Sequence, residues 1–274
     1  MFLINGQFSE ALSVQDRGLH YGDGVFETIA IQQQLPLCWN KHYTRLKSGC
    51  TRLGMECPPS DLLFSEAMQI YSDAESCVLK IILTRGQGGR GYRSPDKRSS
   101  LTRILATYPW PDFPAENSIA GVKTRFCKTR LGYNPQLAGI KHLNRLEQVI
   151  ARSEWDEPDI DEGIMRDTRN NIIEGTMSNL FIINDNKLKT PDLAGCGIAG
   201  VIRDCILAIA DEIGLHTSIT IMTEPELLTA DEVFLCNSII GIWPVRQIEH
   251  HTINQGPWAD KIRRKLIQEK IIIQ

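Results

Sequence analysis

The 274-residue sequence contains no Cys-x-x-Cys pair, no His-Glu-x-x-His and no apolar run of membrane-spanning length. Its eight cysteines, at 38, 50, 57, 77, 127, 196, 205 and 236, are scattered and outline no disulfide framework. Reduced thiols in a cytoplasmic protein are the expectation, with no metal site. A dominant charge is missing too. Thirty Lys and Arg against 33 Asp and Glu leave a formal net charge of -3, which gives no electrostatic reason for a nucleic-acid or anionic-membrane partner. The opening MFLINGQFSE has a short apolar run and no basic leader, so no signal peptide is expected. Internal repeats and low-complexity tracts are absent. What remains is an ordinary globular composition, 42% apolar and 23% charged, in a length that suits one large core or two smaller ones.

Along the chain, FLINGQFSE reads as a hairpin with Asn5-Gly6 at its tip. Gly18, Gly22 and Gly24 punctuate a loop, Val25 to Ile31 form a strand, and a helix starts near Asn40 with Tyr43, Leu46 and Leu53 on one side and Arg45 beside them. A second helix is expected over 60–74, then a strand CVLKIILTR, a Gly- and Arg-rich hairpin loop GQGGRGYRSPDKRSS aimed at an anionic substrate, and a strand LTRILATYPW. The three prolines of PWPDFPAEN mark a linker, dividing a smaller domain, 1–112, from a larger one, 113–274. Beyond it come a strand GVKTRFC, a helix, three strands with turns at 167–171 and 185–186, a glycine turn entering a helix with Ile202, Ile206, Ile209 and Ile213 inward, and further strands and helices. Without strict βαβ alternation, the class is α+β or irregular α/β.

Three features carry chemistry. Leu143, Leu146, Val149 and Ile150 recur at helical spacing, which places Lys141 at the mouth of a helix. There a positive helix end and an apolar pocket would depress its pKa and make it a usable Schiff-base amine. GCGIAG at 195–200 matches the dinucleotide fingerprint, but Pro191 to Ala194 separate it from the preceding strand and too little chain follows to complete a nucleotide-binding sheet. What survives is a glycine turn at a helix N-terminus, whose Val201 and Ile202 amides suit a phosphate. Glu174 lies among apolar residues in NIIEGTMSNLF, where its charge needs a cationic partner such as a protonated pyridine nitrogen. Lysine, carboxylate and phosphate cradle are what pyridoxal phosphate requires.

DRGLHYGDGVFET, HYTRL, RLGYNPQLAGIKHLNRLEQV, IIEGTMSNLF, GIAGVIR and LCNSIIGIWPV, spanning nearly the whole chain, resemble the class IV (fold type IV) pyridoxal-phosphate enzymes. That group holds branched-chain and D-amino-acid aminotransferases and the aminodeoxychorismate lyases. The long block around Lys141 and the loop RGQGGRGY are most similar to the lyases. The resemblance implies a two-domain, D-amino-acid-aminotransferase-like fold with the cofactor between the domains, a homodimer, and conversion of 4-amino-4-deoxychorismate to 4-aminobenzoate and pyruvate in folate biosynthesis. It implies that Lys141 attaches the cofactor and shuttles protons, and that Glu174 holds the pyridine nitrogen protonated. Arg45 would pair with the phosphate, helped by the Val201 and Ile202 amides and by Ser238 beside Asn237, with Asn179 near the cofactor. D-amino-acid aminotransferases place an arginine and a histidine on the substrate loop; this chain has Arg90 and Tyr92 there, which leaves both as carboxylate contacts and weakens a transaminase reading. An aminotransferase on the same scaffold, a binding protein that has lost its chemistry, and an NAD-linked oxidoreductase are the alternative readings.

Overall fold

The computed structural model describes residues 1–71, 76–94 and 101–273. They fall into two compact units, one made of Met1–Pro111 with Ile140–Asn144 and one of Asp112–Gly139 with Arg145–Gln274. Besides the crossing in the proline-rich stretch, the chain passes back into the first unit at Ile140 and leaves it again after Asn144. The five residues that include Lys141 are claimed by the first unit because they hydrogen-bond to one of its strands.

The first unit is a six-stranded antiparallel sheet. Its strands are β1 (Phe2–Ile4), β2 (Gln7–Phe8), β3 (Gly24–Gln32), β4 (Leu35–Pro36), β5 (Ser76–Thr84) and β6 (Thr102–Pro109), in the order β2-β1-β6-β5-β3-β4. The Asn5-Gly6 turn has φ values of 52° and 80°, the left-handed pair that a two-residue hairpin needs. Val25, Ile29 and Ile31 of β3 face Leu83, Leu79 and Cys77 of β5 and share one apolar side of the sheet. Helices α1 (Arg17–Tyr21), α2 (Trp39–Arg52) and α3 (Ser60–Met68) complete the unit. α2 buries His42, Leu46, Gly49 and Cys50, one stripe at helical spacing, onto that side. Two expectations change here. The glycine-punctuated loop contains the short α1, capped by the Asp16 carboxylate and closed by Gly22 in the left-handed region at φ 62°. The helix expected over 60–74 ends at Met68, and Ala74 lies outside the described residues, as do 95–100 of the Gly- and Arg-rich loop.

The second unit is a nine-stranded mixed sheet. It contains β7 (Val122–Leu131), β8 (Glu162–Asp167), β9 (Ile172–Gly175), β10 (Asn179–Asn184), β11 (Lys187–Pro191), β12 (His216–Thr220), β13 (Glu232–Asn237), β14 (Gly241–Ile248) and β15 (His251–Thr252). The order is β12-β11-β10-β13-β14-β7-β8-β9, with β15 on β14. Three pairs, β11–β12, β14–β7 and β7–β8, are parallel and the rest antiparallel, so the sheet is not doubly wound. Its helices are α4 (Leu146–Arg152), α5 (Val201–Ile209), α6 (Glu224–Leu228) and α7 (Trp258–Gln268). Ile202, Ile206 and Ile209 are buried as expected, but Ile213 lies past the end of α5 and is only half-buried. Among the described residues no helix is long and apolar enough to cross a membrane.

The largest departure from the sequence reading concerns α4. It begins at Leu146, five residues after Lys141, and Leu146, Val149 and Ile150 are exposed at 74%, 58% and 56%. The residues it buries are Gln148 and Ala151. The helix expected from that spacing is present, and the apolar stripe it carries is exposed. Lys141 is not at a helix mouth, and the dipole argument for it does not apply.

Candidate active site

In the first unit, Lys141 is placed by β3. The Phe26 N–H donates to the Lys141 carbonyl at 2.9 Å, and the Leu143 N–H donates to the Gly24 carbonyl at 3.0 Å. Asn144 Nδ2 adds a bond to the Gly22 carbonyl at 3.1 Å. Ile140–Asn144 thus runs beside β3 like a short extra strand, with Val25 and His142 as a bridge pair. Gly24 permits the approach, since a Cβ there would overlap the Leu83 carbonyl and the Leu143 side chain. The Lys141 Nζ sits 4.5 Å from the centroid of the Phe26 ring, a cation–π distance.

The residue after Phe26 organises Arg45. Glu27 is buried and accepts Arg45 Nε at 2.8 Å on Oε1 and Arg45 Nη2 at 2.5 Å on Oε2, while His42 Nδ1 lies 2.7 Å from Oε2. Burial alone would raise the Glu27 pKa, but the Arg45 charge and hydrogen bonds and the His42 bond outweigh it and bring it down to about 2. His42 moves the same way: burial pushes its pKa down, the Glu27 bond opposes, and the charges of Arg45 and Lys141 add to the lowering. An ionised Glu27 only accepts, so the neutral His42 carries its proton on Nδ1.

The segment bearing Arg90 and Tyr92 is held from α1. Arg17 is buried, and its Nη1 and Nη2 donate to the Gly91 and Tyr92 carbonyls at 3.0 and 3.3 Å. Its Nε donates at 2.9 Å to Asp23, which also receives Arg85 Nε at 2.8 Å. The Gly91 N–H donates to the Tyr21 hydroxyl, and the Tyr92 ring stands edge-on to Tyr21. Arg90 and Tyr92 themselves are exposed.

In the second unit, buried Glu174 on β9 accepts the Ile198 N–H at 2.8 Å. Asn179, at the start of β10, donates from Nδ2 to the Ile198 carbonyl at 2.8 Å, so both backbone groups of Ile198 are gripped. Gly139, two residues ahead of Lys141 in the chain, joins the same loop through Gly139 N–H to the Gly197 carbonyl and Ala199 N–H to the Gly139 carbonyl. Arg145, four residues beyond Lys141, is largely desolvated, which lowers its pKa; the charges of Glu174 and Glu147 oppose that shift. The glycine turn is obligatory where it passes Asn179, because a Cβ on Gly200 would overlap Asn179 Oδ1. α5 then opens at Val201, with Val201 and Ile202 buried; first-turn N–H groups have no carbonyl acceptor within their own helix.

Two further turns complete this unit's cluster. Glu162, buried on β8, accepts the N–H groups of Thr176 and Met177 and the hydroxyls of Thr176 and Ser178. Asn237 Nδ2 donates to the Met177 carbonyl at 2.9 Å, and its Oδ1 accepts the Ile239 and Ile240 N–H groups at 2.7 and 2.8 Å. Ser238 thus sits in a turn tied to the one that follows Glu174.

The structure therefore gathers Lys141 and Arg45 in one cluster and Glu174, Asn179, Val201, Ile202, Asn237 and Ser238 in another. Sequence reasoning missed Glu27, Arg17 and Glu162. The signal for Glu27 was available: on a strand over 25–31, period two puts position 27 on the same face as Val25, Ile29 and Ile31.

Residues 24–248 match the model of the amino-transferase class IV family. The chain belongs to that family. It is 36% identical over 248 residues to an aminodeoxychorismate lyase of Vibrio harveyi, covering 90% of this chain and 91% of the relative. It is 28% identical to a putative branched-chain-amino-acid aminotransferase of Methanocaldococcus jannaschii, covering 96% and 93%. Among solved structures, a 4-amino-4-deoxychorismate lyase from Pseudomonas aeruginosa superposes with a TM-score of 0.95 at 42% identity, covering 99% of this chain and all of the other. The Escherichia coli branched-chain aminotransferase shares the fold at a TM-score of 0.89 and 24% identity, over 97% of this chain and 93% of that one. The fold class expected from the class IV resemblance holds.

The buried Glu27–His42 pair gives acid sensitivity a defined shape. Below the ordinary histidine value of 6.5 the unfolded chain takes up a proton that native His42 resists. Below 4.5, towards about 2, the unfolded chain likewise protonates Glu27 before the native state does. Both effects remove stability as pH falls. The thermal midpoint should hold level above pH 6.5 and decline in two stages below it, read by circular dichroism across a buffer series; a flat profile over this range contradicts the assignment.

Proposed function

We propose that this protein is a 4-amino-4-deoxychorismate lyase that binds pyridoxal 5'-phosphate and releases 4-aminobenzoate and pyruvate. The observation that carries the reading is the near-complete match to the Pseudomonas aeruginosa lyase, at 42% identity against 24% for the Escherichia coli branched-chain aminotransferase. The residues present fit the cofactor. A primary amine, a buried carboxylate, a guanidinium and a helix N-terminus are the donor set that an aldehyde, a pyridine nitrogen and a phosphate require.

Bound pyridoxal phosphate supplies an electron-poor ring that accommodates the charge left when a proton is removed next to the substrate nitrogen. Lys141 would hold the cofactor covalently, and its free amine would take the proton from the ring carbon that bears the substrate amine. Its backbone bonds to β3 let the side chain act without the segment moving. Glu174, which accepts the Ile198 N–H, would hold the pyridine nitrogen. In each unit a phosphate would find donors: Arg45 in the first, and in the second the Val201 and Ile202 amides, Ser238 and Asn237, with Asn179 keeping the glycine turn in place. Arg90 and Tyr92 take the substrate carboxylates. Loss of the proton and of the enolpyruvyl oxygen substituent leaves an aromatic ring, so positioning and proton transfer are the protein's main tasks.

The exposed apolar face of α4 supports a homodimer, since Leu146, Val149 and Ile150 lie together on one short helix. The eight free cysteines suit a reducing cytoplasm, and the product places the enzyme in folate-precursor synthesis.

Adding the protein to enzymatically generated aminodeoxychorismate should release 4-aminobenzoate and pyruvate in equal amounts, and Lys141→Ala should abolish release while leaving the far-ultraviolet spectrum unchanged. Amino exchange between an amino acid and 2-oxoglutarate without 4-aminobenzoate would transfer the function to an aminotransferase. Removing the donor that holds the Gly91 and Tyr92 carbonyls should act on substrate binding. Arg17→Ala is expected to raise KM about tenfold with kcat little changed, and an unchanged KM in a folded variant would detach this segment from the substrate.

A further inference from the structure

Three of the four core-facing positions from 25 to 31 on β3 are Val25, Ile29 and Ile31; the fourth is Glu27, opposite Ile81 of β5. A carboxylate on an apolar face is unfavourable for folding unless it is paired, and a hydrophobic residue of similar size is often at least as stable there. Packing alone gives no reason for glutamate at this position. The bonds it makes do. Both carboxylate oxygens are engaged by Arg45, which lies one turn along α2 from His42, the third donor. A side-on pair of this kind fixes the plane of a guanidinium whose four-bond stem is otherwise free to adopt many rotamers. With Nε and Nη2 held by the two carboxylate oxygens, the guanidinium of Arg45 has one orientation.

The same strand registers Lys141. Phe26 bonds its carbonyl and lies beneath its ammonium group, and Glu27 follows immediately on the opposite face. Adjacent residues of one strand thus set the two groups of this unit that the cofactor needs.

We propose that Glu27 is a positioning residue for the cofactor phosphate: by gripping two nitrogens of Arg45 it holds the guanidinium in one fixed orientation. This rests on the reading of Arg45 as a phosphate contact. His42 serves as the second pin, holding the carboxylate against rotation through its Nδ1–H.

The test compares pyridoxal phosphate with pyridoxal, which lacks the phosphate. The cofactor is resolved from the holoenzyme, and each ligand is titrated back by absorbance. Glu27→Gln should weaken pyridoxal phosphate about tenfold while leaving pyridoxal unchanged, so the preference for the phosphorylated ligand narrows by the same factor. A merely structural role would weaken both alike, and that outcome overturns the proposal. Arg45→Gln separates the inference from the reading beneath it. If Arg45→Gln leaves the preference intact, Arg45 is not the phosphate contact and the proposal falls with it. If Arg45→Gln narrows the preference and Glu27→Gln does not, Glu27 alone is overturned. Should Glu27→Gln fail to fold, Glu27→Asp is read instead. Its shorter carboxylate should narrow the preference by a smaller factor, and an undiminished preference overturns the proposal.

Discussion

The constraint on which the rest depends is the pairing of Ile140–Asn144 with β3. Two backbone hydrogen bonds, Phe26 to Lys141 and Leu143 to Gly24, hold a five-residue excursion of the chain against a strand in the middle of an antiparallel sheet. A lysine carried on a free loop would have to be ordered whenever it reacted. Here the ordering is complete once the sheet has formed. Gly24 makes the pairing possible, since any side chain at that position would strike the Leu83 carbonyl. Because alternate residues of a strand face opposite ways, Phe26 meets Lys141 on one side while Glu27 meets Arg45 and His42 on the other.

The second unit uses the same device with different parts. Glu174, Asn179, Glu162 and Asn237 each hold backbone groups of turns. Buried polar side chains are unfavourable unless bonded, so satisfying them with turn amides locks the turn and removes the penalty together. The chain runs from this network through Gly139 into the Lys141 segment and returns at Arg145, whose neighbourhood again contains Glu174.

Local chemistry made much of this legible. Asn5-Gly6 announced its hairpin, the alternation in Val25 to Ile31 its strand, and the glycines before Val201 the start of α5, since each rests on backbone rules that act over a few residues. The stripe of Leu146, Val149 and Ile150 marked a two-sided helix, and spacing does not report which side is covered. It also pulled the helix start towards Lys141, which in fact lies in extended chain. Glu27 escaped notice because its partners come from α2, a helix whose docking onto β3 no local pattern records. Arg17 escaped for a similar reason, since the Gly91 and Tyr92 carbonyls it holds lie more than seventy residues away. The helix–dipole argument for Lys141 was physically sound and applied to the wrong geometry.

The measurement that bears most directly on this account is a chemical one. Borohydride reduction of the holoenzyme, followed by digestion and mass spectrometry, identifies the residue that carries the cofactor. The account predicts a single phosphopyridoxyl adduct on the peptide containing Lys141. An adduct on another lysine, such as Lys80, which also lies against the Phe26 ring, would contradict it, as would a reduced protein carrying none.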